Sequence, residues 1–127
     1  MSTDKLLLDT HVFLWWRTND RRIKKPAHEA IATAGLVFVS AATAWEASIK
    51  AALGRLDLPD TVEAGVLESG FEPLPIVFAH AELAARLPQH HHDPFDRMLI
   101  AQARIEGLTL VTHDSWMEPY GVSVIWT

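Results

Sequence analysis

The sequence predicts an α/β fold, a three-layer α/β/α sandwich around a mainly parallel sheet of about five strands. Short apolar runs closed by polar residues alternate along the chain with segments whose apolar residues recur at helical spacing. Helices between successive runs imply parallel pairing through right-handed crossovers. The chain has 127 residues, 49% of them apolar and 21% charged, which suits one domain with a full core and leaves no room for two.

Lys5-Leu6-Leu7-Leu8 is the first buried strand, ended by Asp9-Thr10, and His11 to Arg17 is a helical segment rich in apolar residues. A polar connection, Asn19 to Lys25, leads to Pro26 at the start of a helix that runs to about Ala34 and closes at Gly35. Leu36 to Val39 is the second strand. Ser40 can cap the next helix, in which Trp45, Ile49, Ala52 and Leu53 recur at helical spacing before Gly54, and Trp45 is expected in the core. Asp60 to Glu68 is a weaker helix. Pro73 to Val77 is the third strand, confined to an edge or shortened by its two prolines. A helix from Phe78 to Leu87, a loop from Pro88 to His92 and a strong helix from Pro94 to Glu106 follow. Leu108 to Val111 and Val122 to Trp126 are the fourth and fifth strands.

The absence of cysteine excludes a disulfide scaffold, a thiol nucleophile and any cysteine-ligated zinc or iron–sulfur centre. The uncharged stretch from Leu36 to Trp45 is too short to span a bilayer. Asp4, Lys5 and Asp9 break the pattern of a signal peptide, so a cytoplasmic protein is expected. The formal charge of −5 argues against holding nucleic acid by bulk electrostatics alone. Four of the sixteen acids gathered in one site would leave the rest of the chain close to neutral.

Ligand sites in such sheets lie beyond the carboxyl ends of the strands. Asp9 ends the first strand, where it can also cap the following helix. Glu46 falls in the second turn of the helix after the second strand, spaced to pair with Lys50. Asp96 is in the first turn of the helix opened by Pro94; Asp93 fits a capping role better, since Ile100 and Ala103 put Asp96 above the inward stripe. Asp114 follows the fourth strand and also suits an ordinary turn. Each has a structural explanation alone, yet all four are expected at one rim. Carboxylates about 4 Å apart repel by roughly 4 kcal/mol at an effective dielectric near 20 unless a cation intervenes. An all-oxygen site suits Mg2+ or Mn2+ better than zinc. Such ions activate water and clamp the oxygens of a phosphodiester, which points to metal-assisted phosphoryl hydrolysis.

Four segments carry a family resemblance: Leu6-Leu7-Leu8-Asp9-Thr10-His11; Ser40 to Glu46; His92 to Arg97 with Leu99-Ile100-Ala101; and Leu108 to Asp114. Their ordered set, which spans essentially the whole chain, resembles the PIN domain and within it the ribonuclease toxins of VapBC toxin–antitoxin pairs. The resemblance implies one nuclease domain over residues 1–127 and a metal site of Asp9, Glu46, Asp96 and Asp114. Asp114 occupies the position that varies most. Thr10 and Thr112 match positions where a hydroxyl supports the carboxylates. An RNA substrate, a cognate antitoxin and a homodimer are implied as well.

Lys50 and Arg97 are candidates for RNA phosphate contacts, with Arg17 and Arg55 beside them, although each also suits a solvated surface. His90-His91-His92 could bind a transition metal but fits a solvated loop better. Trp15 and Trp16 could stack bases, though aromatics in an early helix are more often core or dimer contacts. Two other functions are open. One is a PIN-like module that binds a protein without catalysis. The other is a phosphotransfer protein phosphorylated on a strand-end aspartate; His11 stands where the phosphatase version needs an acid, and Thr112-His113-Asp114 lacks the lysine of the receiver version.

Overall fold

The computed structural model describes residues 4–89 and 92–127. The elements follow in the order β1 (Lys5–Leu8), α1 (Thr10–Arg17), α2 (Lys25–Thr33), β2 (Leu36–Ser40), α3 (Ala41–Ala52), α4 (Val62–Glu68), β3 (Glu72–Leu74), α5 (Phe78–Arg86), α6 (Pro94–Glu106), β4 (Thr109–Thr112), a 3-10 helix (Ser115–Tyr120) and β5 (Val124–Trp126). All strand pairs are parallel, in the order β3-β2-β1-β4-β5. No helix among the described residues is long and apolar enough to cross a membrane.

Alternation along β1 separates the two helical layers. Leu6 and Leu8 join Val12, Phe13, Ile23, Ile31 and Val66 on one face. Leu7 joins Leu99, Ile100, Leu110 and Met117 on the other. Each of these leucines is essentially inaccessible to solvent, and burial of such a side chain contributes about 1.5–3 kcal/mol. The helices begin where the sequence offers caps: Asp9, Ser40, Thr61 and Asp93 each accept a backbone N–H of the helix they precede.

Two expectations are revised, and one further element joins the fold. Strand β3 ends at Leu74 rather than Val77, because its pairing with β2 stops before Pro75; its place at the edge tolerates Pro73. The segment after β4 winds into a 3-10 helix, anchored by buried Met117 and by Tyr120, whose hydroxyl donates to the Pro88 carbonyl at 2.8 Å. Trp45 is 64% exposed rather than core. The buried face of α3 is Ala42, Thr43, Glu46 and Ala47; its alanines and Thr43 are small enough to bring the helix close to its neighbours, while Trp45, Ile49 and Leu53 face outward. By contrast, Trp15 is buried and Trp16 packs on Phe71 (5.7 Å between ring centroids), which assigns both to the core rather than to base stacking.

Helix α6 stops at Gly107, whose φ of 67° is left-handed and whose N–H bonds the Ala103 carbonyl. A Cβ there would meet nothing within 4 Å, so any cost of a side chain is purely conformational. Gly107→Ala is expected to lower unfolding free energy by about 1 kcal/mol in a urea titration, with an unchanged denaturant slope.

Candidate metal centre at the carboxyl edge of the sheet

The chain leaves β1 for β2 and β3 on one side, then returns to place β4 and β5 on the other, so the crossover direction reverses between β1 and β4. A crevice is expected at that switch point. Asp9 follows β1 there, and Thr112 ends β4 beside it. The Asp9 N–H donates to the Val111 carbonyl at 3.0 Å, which locks the junction to the sheet. One carboxylate oxygen of Asp9 accepts the Val12 N–H at 2.7 Å, and the other accepts the Thr112 hydroxyl at 2.5 Å. The capping role and the rim position therefore coexist in one residue.

A chain of contacts relates the other acids to Asp9. Thr10 and Thr43 share a hydrogen bond of 3.1 Å between their hydroxyls, joining the first turns of α1 and α3. Thr43 lies one turn before Glu46, so both belong to the inward face of α3. Glu46 is buried and accepts an ion pair from half-buried Lys50 at 3.0 Å. Trp45, beside Glu46, meets Phe95, beside Asp96, edge to face at 5.2 Å, so α3 and the start of α6 adjoin. Asp96 is in the first turn of α6, its N–H bonded to the Asp93 cap. Asp114 donates its N–H to the Thr112 hydroxyl at 3.0 Å and accepts the Trp116 N–H, opening the 3-10 helix.

Among the described residues, the trio whose ligand atoms all lie within 4.8 Å of one another is Asp9, His11 and His113. Glu46, Asp96 and Asp114 do not join it at that spacing. Burial pushes the Asp9 carboxyl above its ordinary range; hydrogen bonds from Thr112 and the Val12 N–H, then the charges of His11 and His113, pull it partly back. A buried carboxylate that ionises at such a cost, on an oxygen-rich rim, fits a divalent cation as its partner.

A model of the PIN domain matches residues 6–119. The chain belongs to the PIN domain family. It is 32% identical over 112 residues to Ribonuclease VapC22 of Mycobacterium tuberculosis, a match that covers 86% of each chain. Its fold is shared by VapBC2 of Rickettsia felis bound to a promoter DNA fragment (TM-score 0.67, 14% identity, 95% of this chain and 97% of that one). It is also shared by DNA-bound VapBC of Salmonella typhimurium (TM-score 0.65, 20% identity, 96% and 97% covered).

In this PIN domain Arg97 stands apart from the role expected of it. It is 7% exposed, and its guanidinium donates to the carbonyls of Pro88, Ala84 and Leu87 at 2.9, 2.8 and 2.7 Å. These carbonyls gather at the end of α5, where helical carbonyls lack partners and the helix dipole is negative, so Arg97 is a C-terminal clamp and not a free phosphate contact. The Thr10 hydroxyl reaches Thr43 rather than Asp9. His90 and His91 lie outside the described residues, and His92 is exposed.

Sequence reasoning passed over Thr43, His11 and His113. Thr43 was signalled only by its spacing of three from Glu46. The histidines follow the two central strands, but that adjacency depends on the strand order.

Proposed function

We propose that this PIN domain is a Mg2+- or Mn2+-dependent endoribonuclease, the toxin of a VapBC-type pair. Asp9, Glu46, Asp96 and Asp114 are the acids that would hold the cation. The observation that carries the reading is the buried Asp9 carboxylate, held at the switch point by Thr112 and the Val12 N–H. When bound, a divalent cation supplies activation of water and screening of the scissile phosphate. Asp9 offers the fixed ligand, since two hydrogen bonds set its plane before any ion arrives. Thr112 holds both Asp9 and the backbone of Asp114, so one hydroxyl aligns two acids. Thr43 braces α3 through Thr10 and thereby sets the approach of Glu46. Lys50 neutralises Glu46 and is the cation available to a phosphate beside it. The name of the VapC22 relative supports RNA as substrate, and the VapBC structures support an antitoxin partner. A homodimer and a cytoplasmic location complete the reading.

The test is cleavage of single-stranded and transfer RNA by antitoxin-free protein with Mg2+, Mn2+ or EDTA. Cleavage should require the metal and fall at least about 100-fold in Asp96→Asn. A folded protein that cuts neither RNA with either metal would leave a binding module as the function. Full activity in Asp96→Asn would remove Asp96 from the site.

A further inference from the structure

We propose that Asp9, His11 and His113 form a binding site for a borderline divalent transition ion, distinct in its nitrogen donors from the four-acid set and overlapping it at Asp9. His113 Nδ1 lies 3.9 Å from Asp9 Oδ2, and one ligand atom from each of the three residues falls within 4.8 Å of the others. Ligands of a tetrahedral ion with bonds near 2.1 Å lie about 3.4 Å apart, so small side-chain rotations close the site. Two imidazoles and one carboxylate are a donor set for zinc and its neighbours, whereas Mg2+ prefers oxygen alone.

The surroundings hold this arrangement. The imidazoles meet edge to face at 5.3 Å, and the buried ring of Trp15 lies 4.8 Å from His113 and 6.1 Å from His11. Thr112 donates to Oδ2 of Asp9, the oxygen nearest His113, and so orients the shared ligand. Arg22, whose guanidinium carbon is 4.7 Å from the Trp15 ring centroid, is paired through two hydrogen bonds with Asp20, which offsets its charge. Both histidines are solvent-exposed while Asp9 is buried, so an ion would have three protein ligands and one side open to water. A single carboxylate with two neutral imidazoles leaves a divalent complex with one net positive charge beside a rim of acids.

The test uses Zn2+ binding by calorimetry and the visible spectrum of bound Co2+. His90, His91 and His92 are first replaced by Gln, since their imidazoles take the same ions. In that background the metal-free chain should bind one Zn2+. His11→Gln and His113→Gln should each weaken binding at least tenfold and erase the Co2+ bands. Zinc affinity unchanged in both histidine variants would overturn the site. Loss in Asp96→Asn with the histidine variants unaffected would place the ion on the acids and overturn it equally. No RNA enters the measurement, so failure of the nuclease reading and failure of this one are separate results.

Discussion

Asp9→Asn should abolish RNA cleavage, by at least about 10³-fold, and yet raise the melting temperature of the metal-free protein at neutral pH. The loss follows from the proposed function, because Asn keeps the shape but removes the charge that would fix a cation at the switch point. The gain follows from burial. Asp9 is buried, and its folded-state carboxyl is held above the ordinary value of 3.8, chiefly by loss of hydration. The folded protein therefore binds a proton there more readily than the unfolded chain does. Below the ordinary value both states are protonated and the group is neutral in its effect. As pH rises through the raised folded value, ionisation costs stability, and the full cost is present above it. Asn carries no such cost and can still accept the Val12 N–H, so α1 keeps its cap. Melting curves of both proteins with EDTA should coincide in acid and separate towards neutrality. Addition of Mg2+ should then raise the wild type alone. A variant no more stable than wild type at neutral pH would contradict this account of Asp9.

Arg97→Met is the second large effect, and it concerns stability. The replacement fills similar volume but leaves the carbonyls of buried Ala84 and Leu87 without the guanidinium that bonds them, while the Pro88 carbonyl keeps the Tyr120 hydroxyl. Stranding buried acceptors at a helix end costs about 3 kcal/mol, so the melting temperature should fall by about 10 °C. Arg97→Lys should recover part of that loss, because an ammonium reaches fewer carbonyls than a planar fork. If Arg97 were instead a surface contact for phosphate, Arg97→Met would melt within about 2 °C of wild type and lose RNA affinity.

Much of the architecture was legible because hydrophobic pattern and punctuation agree. Three leucines followed by Asp9 mark a strand end, Asp93-Pro94 marks a helix start, and Gly107 marks its stop. Asp9 was legible as a candidate for the same reason, since a charge directly after a buried run has few structural uses. The strand order was not legible: nothing local says that β4 lies beside β1, so the meeting of His11 with His113 and of Asp9 with Thr112 is a tertiary fact. Trp45 misled because periodicity reports which residues share a face, not which face turns inward. On α3 the small residues won, as close approach favours Ala42 and Ala47 over a tryptophan. Arg97 misled because an arginine in the first turn of a helix reads alike whether it faces water or a neighbouring helix end.

The hydrogen bond from Thr112 to Asp9 joins residues 103 positions apart. A ribosome making this chain thus releases β1, its cap and α3 well before the strand that completes the crevice. Until β4 docks, Asp9 lacks both its backbone anchor at Val111 and the hydroxyl that orients it. An unfinished polypeptide carries Asp9 and Glu46 in an unassembled arrangement, so the crevice comes into being only when nearly the whole chain has been made.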